Sequence, residues 1–102
     1  MQVADAPQRF SWTGTELYKT LCHVFPTLRT KKQNVLDVEQ LAKEIGMTKE
    51  GLYKWLRDGR ILSKKGVERL IELANREPYS NHLAERGIAP PTKQDFARFL
   101  LS

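Results

Sequence analysis

Between Asp37 and Leu56 the chain reads DVEQLAKEIGMTKEGLYKWL, a string that permits little except two short helices meeting at a tight turn. Asp37 has the side chain of an N-cap and Gln40 follows at capping-box spacing, which satisfies free amides at a helix start. Leu41, Ala42 and Ile45 then share one face, and the small Ala42 leaves room for a second helix to approach. Gly46 falls where this helix has to end; glycine reaches positive φ without a Cβ clash, so the chain can turn at once. Thr48 is a second N-cap, and Met47 before it is placed to staple onto Leu52. Leu52, Trp55 and Leu56, at i, i+3 and i+4, give the second helix a buried side. Lys49, Glu50, Tyr53, Lys54 and Arg57 form its polar side.

The flanking sequence is also helical in pattern. Phe10 and Trp12 are expected to pin a flexible polar lead, residues 1–12, to the body. Thr13 or Thr15 caps a first helix running to about Phe25, with Leu17, Leu21, Val24 and Phe25 at helical spacing and Pro26 stopping it. TLRTKKQN, from Thr27 to Asn34, is a basic connection that serves either as a solvated loop or as a source of phosphate contacts. Gly59 is expected as a left-handed C-cap. Ser63 caps a fourth helix reaching Asn75, with Val67, Leu70, Ile71 and Ala74 inward; Lys64 and Lys65 at its start oppose the helix dipole, yet with the free amides they make an anion site. After Arg76 the pattern loosens into a short helix from Asn81 to Arg86, then Gly87 and a double proline. Thr92 caps a last helix, KQDFARFLLS, whose stripe of Phe96, Phe99 and Leu100 either closes the core or faces a second copy. The expected fold class is all-α: a small bundle of about five helices, with residues 13–76 as its main domain and 77–102 as a C-terminal extension.

Charge sharpens the reading. The net charge of +5 on 102 residues is modest, but from Leu28 to Arg76 there are 12 Lys and Arg against 7 Asp and Glu, while the segments on either side each sum to zero. The excess therefore lies on and around the two-helix string, the footprint expected where phosphates are neutralised. A chain of this length has room for one core and little room for a separate sensor domain. No apolar run approaches the roughly 20 residues of a membrane span, and the N-terminus lacks the apolar stretch of a secretory signal, so a cytoplasmic, nucleoid-associated protein is expected. Cys22 is alone, which excludes an intrachain disulfide. His23 and His82 are isolated, and neither a phosphate-binding glycine loop nor a nucleophile and base set appears; no metal, cofactor, catalytic residue or enzymatic activity is expected.

The string resembles the helix-turn-helix of Cro/CI-like phage repressors, in which a small residue, a glycine, an aliphatic and an Ile or Trp recur in the order filled here by Ala42, Gly46, Leu52 and Trp55. Leu41 and Ile45 complete that motif core. The resemblance covers Leu36 to Asn75; Val38 stands where many members carry a polar residue, and the connection from Leu28 to Asp37 is longer than theirs. It implies a double-stranded DNA partner, with the second helix of the motif in the major groove. Base reading then falls to Thr48, Lys49, Glu50, Tyr53, Lys54 and Arg57, and phosphate contact to Arg29, Lys31, Lys32, Lys43, Arg60, Lys64 and Lys65. Lys49 can donate to guanine and Glu50 can accept from cytosine N4, although Glu50 can instead pair with Lys54. Tyr53 can touch a thymine methyl or donate to phosphate. Gly51 either permits close backbone approach to the duplex or to the first helix, or is an ordinary early-turn glycine. A transcriptional regulator, a repressor acting as a homodimer on half-sites, is the expectation. The words LDVEQLAKEIGMTKEGLYKWLRDGRI also resemble the MerR and excisionase-like winged helix, which continues into a β-hairpin. A protein-interaction module, phage-encoded or antitoxin-like, is the alternative of a different class.

Overall fold

In the structure, a computed structural model describing residues 11–100, six α-helices follow a 3-10 turn at Ser11–Gly14. The first helix, α1 (Glu16–Val24), is capped by Thr15, whose hydroxyl accepts the Tyr18 amide at 3.2 Å and donates to the Trp12 carbonyl. Leu17, Leu21 and Val24 bury its inner face. Lead residues 1–10, Phe10 among them, lie outside the described residues, as do Leu101 and Ser102. Trp12 belongs to the core: its ring sits edge-on to Tyr18 at 5.4 Å and to Tyr53 at 5.2 Å.

The basic connection is a folded miniature hairpin. Arg29 pairs antiparallel with Leu36, and bonds from the Asp37 amide to Leu28 and from the Thr30 amide to Val35, both 2.8 Å, bracket that pair. Asn34, at φ 55°, turns the chain back in the left-handed region that asparagine tolerates. The Leu36 amide donates to the Tyr18 hydroxyl at 3.3 Å, which ties the hairpin to α1. Burial, then a hydrogen bond with Cys22, raise the Tyr18 pKa above its usual 10.0.

Helices α2 (Val38–Ile45) and α3 (Lys49–Asp58) are joined by three residues. Asp37 caps α2 through the Gln40 amide, and Thr48 caps α3 through the Gly51 amide. Gly46 takes φ 72° and Gly59 φ 69°, so each helix ends on the left-handed glycine its sequence provides. Ser63 caps α4 (Lys64–Ala74) through the Gly66 amide. A helix therefore occupies the place where a winged-helix protein would carry its hairpin, which removes the MerR-like alternative as a fold.

The C-terminal extension is part of the same core. In α5 (Tyr79–Glu85), which starts two residues earlier than the sequence pattern indicates, Tyr79 sets its ring edge-on to Phe25 at 5.5 Å and donates to Glu44 of α2 at 3.1 Å. The Thr92 amide donates to Asp95 at 2.7 Å and starts α6 (Lys93–Ala97). This last helix is shorter than the sequence suggests. The Ile61 amide bonds to the Phe99 carbonyl at 2.8 Å and Ile61 pairs with Leu100 in parallel, a pairing that requires non-helical backbone there. Phe96 and Phe99 are buried and Leu100 is half-buried, so the apolar stripe closes the core. No helix among the described residues is long and apolar enough to cross a membrane.

Candidate nucleic-acid interface

Helix α3 is amphipathic by position. Leu52 and Leu56 are fully buried and Trp55 is 5% exposed, so α3 keeps one rotational setting against α1, α2 and the 3-10 turn. Its exposed side carries Lys49, Glu50, Lys54 and Arg57, spaced so that all four share a face. Leu41, Ala42 and Ile45 are buried on the facing side of α2, where Ala42 lets the two backbones approach. The motif core read from the sequence is thus brought together, including the left-handed turn at Gly46.

The expected base-reading residues are not equivalent. Thr48 is exposed, but its hydroxyl oxygen accepts the Gly51 amide at 3.1 Å and its first duty is to cap the helix. Lys49 lies 3.8 Å from Glu39 of α2, an exposed pair that contributes little stability but biases the lysine towards α2. Glu50 and Lys54 form no ion pair among the described residues, which leaves the Glu50 carboxylate available. Tyr53 is half-buried with its ring against Trp12, so only part of it remains for a ligand. At Gly51 a Cβ would meet the Met47 methyl at 3.1 Å and the Thr48 hydroxyl at 3.2 Å, both from the turn that precedes it.

The expected phosphate contacts are spread over several surfaces. Lys31 and Lys32 are exposed at the hairpin tip, whereas Arg29 donates to the Asn34 carbonyl at 2.8 Å and holds the hairpin closed. Arg60 is exposed just past the C-terminus of α3. Lys43 shares a cleft with Arg69 and Arg76, but also with Glu44 and Glu72. Lys64 and Lys65, adjacent in sequence, diverge. Lys65 borders a small, mainly apolar cleft of about 170 Å³ formed by Ile45, Met47, Trp55 and Gly66, beside the two-helix unit. Lys64 borders another, with Val67, Glu68, Lys93 and Leu100, next to α6. The single anion site expected from that pair is therefore divided between two clefts.

Three residues with structural control over this surface, Arg69, Gly66 and Tyr79, carry no local sequence signal. Arg69 of α4 donates from Nη1 to the Ile45 carbonyl at 2.9 Å. Gly66 receives the Trp55 ring so closely that a Cβ there would stand 2.3 Å from Cη2. Tyr79 braces the outer end of α2 through Glu44; burial, then that carboxylate, raise its pKa above 10.0. Among the described residues no group of three His, Cys, Asp or Glu is placed to hold a metal ion. No protein-family model, curated protein or solved structure matches this chain.

Proposed function

We propose that the chain is a sequence-specific double-stranded DNA-binding regulator, a repressor, that reads the major groove with α3. The supporting observation is the pairing of α2 and α3 through a three-residue turn with Gly46 left-handed, which leaves Lys49, Glu50, Lys54 and Arg57 on one solvent face of a rigidly backed helix. In the helix-turn-helix arrangement the N-terminal half of the second helix meets base edges while the first crosses the backbone. Lys49 and Glu50 then face the bases, as donor to guanine and acceptor from cytosine. Lys54, Arg57, Arg60 and Lys65 supply cations for the flanking phosphates. Tyr53 contributes its hydroxyl while its ring stays against Trp12.

One such unit buries little surface, and specificity gains from two copies on half-sites about one helical turn, roughly 34 Å, apart. The proposal therefore includes a homodimer on DNA. Selection of bound sequences from a random duplex library, followed by binding of the winner across a salt series, tests it. Enrichment of a palindrome with steep salt dependence is the expected result. No enrichment together with weak salt dependence would refute DNA reading and favour an interaction module that grips another protein.

A further inference from the structure

The α2–α3 turn is held from outside by a residue far away in sequence. Ile45 is the last residue of α2, and its carbonyl lies at the negative end of that helix. The amides of the turn do not serve it: Gly46 donates back to Ala42 and Lys43, and Met47 donates to Ala42 at 2.9 Å. The Ile45 carbonyl is met instead by the Arg69 guanidinium, whose Nη1 lies 2.9 Å from it and 3.4 Å from the Gly46 carbonyl. The fit is close, since a Cβ on Gly46 would stand 2.7 Å from the same nitrogen. Gly66, which receives Trp55, precedes Arg69 by three positions and so shares its face of α4. Helix α4 thus holds the two-helix unit at two places, at Trp55 in the second half of α3 and at the turn that leads into α3.

We propose that Arg69 is a positioning residue for sequence reading: it fixes the turn, and with it the angle at which α3 meets the groove, without touching DNA. The inference rests on the DNA-reading role proposed above. A guanidinium suits this task because its donors are held in a rigid fork, whereas a lysine ammonium carries the same charge on a flexible stem. The charge also belongs at this place, because cations are favoured at helix C-termini.

Charge and positioning separate in two variants of the full chain, Arg69→Lys and Arg69→Gln. Each is assayed on the selected site and on random duplex across a salt series, and by hydrogen exchange without DNA. With Arg69 positioning the turn, both variants lose about tenfold in affinity for the selected site, the weight of one charge-assisted hydrogen bond. Binding to random duplex and the salt slope stay as in the wild type, and the Gly46 and Met47 amides exchange faster. If Arg69→Lys matches the wild type while Arg69→Gln weakens both duplexes and flattens the slope, Arg69 is a phosphate contact and the proposal fails. A wild-type chain that enriches no site removes DNA reading and this role with it. Enrichment by the wild type, with both variants unaffected, removes the role of Arg69 alone.

Discussion

Replacing a helical glycine by alanine ordinarily stabilises a helix by about 1 kcal/mol, and at Gly66 the structure reverses that sign. A methyl group there would stand 2.3 Å from Trp55 Cη2 and 2.9 Å from Cζ2. Carbon atoms in comfortable contact are about 3.5–4.0 Å apart, so the indole or the helix must move by more than roughly 1 Å. Trp55 is 5% exposed and its ring is rigid, so relief requires the whole indole to shift towards the neighbouring cleft or α4 to move off it. Overpacking of this kind costs about 1–3 kcal/mol, and the upper end applies. After the propensity gain, Gly66→Ala should lose about 1–2 kcal/mol, a fall in melting temperature of roughly 5–15 °C for a domain of this size.

The matched control is Gly51→Ala, also in a helix. There the nearest atoms are the Met47 methyl at 3.1 Å and the Thr48 hydroxyl at 3.2 Å, and the methyl ends a flexible side chain that can yield by a few tenths of an ångström. Gly51→Ala should leave stability unchanged or raise it by up to about 1 kcal/mol. Thermal and urea unfolding followed by circular dichroism report both variants. Trp55→Phe, which lacks the two clashing atoms, should rescue Gly66→Ala with a coupling of about 1 kcal/mol or more. A Gly66→Ala protein as stable as the wild type, or an absence of coupling, would refute the close seating of α3 on α4.

Two further outcomes follow from single side chains. Lys49→Ala should weaken binding to the selected site more than to random duplex; Glu39→Gln, which frees Lys49 from its neighbour 3.8 Å away, should tighten random binding and narrow the ratio. Equal loss on both duplexes for Lys49→Ala would make Lys49 a phosphate contact. The Tyr79 phenol has its pKa raised above 10.0 in the fold, so its contribution to stability is complete below about pH 10 and is lost as pH rises through the higher folded value. The stability gap between wild type and Tyr79→Phe, measured by urea unfolding, should therefore shrink as pH rises above about 10; a constant gap would show that neither burial of the phenol nor its bond to Glu44 carries weight.

What the sequence makes legible here is local chemistry. Thr15, Asp37, Thr48 and Ser63 each cap the helix their position implies, and Gly46 and Gly59 end the helices they follow, because caps depend on atoms within a few residues. The features that escape are those with distant partners. Arg69 meets a carbonyl 24 positions away, and the Tyr18 hydroxyl meets an amide 18 positions away, so no window of sequence contains either bond. The last helix is misjudged for the same reason: its apolar stripe has helical spacing, but Phe99 and Leu100 are drawn into pairing with Ile61. Similarly, Tyr53 sits among polar residues at helical spacing, and only the fold brings Trp12 against its ring.

The same distinction governs the charge argument. Summed along the sequence, residues 28–76 offer 12 cations, yet two of them are bonded to backbone carbonyls and four more have a carboxylate in their neighbourhood. Arg29 closes the hairpin, Arg69 holds the turn, Lys49 has Glu39 beside it, Lys43 and Arg76 share a cleft with Glu44 and Glu72, and Lys64 shares one with Glu68. Lys54, Arg57, Arg60 and Lys65 remain near α3, with Lys31 and Lys32 out on the hairpin tip. At about 0.9 of a counterion released per phosphate neutralised, the logarithmic salt slope should be about −4 per chain if the tip stays clear of DNA, and about −5 if it engages. Lys31→Ala with Lys32→Ala decides between these, and Lys65→Ala should lower the slope by about 1 while Lys64→Ala leaves it unchanged. A slope near −10 per chain, or an equal effect of Lys64 and Lys65, would mean that the cations with carboxylates nearby reach phosphate as well and that charge summed along the sequence is the better guide.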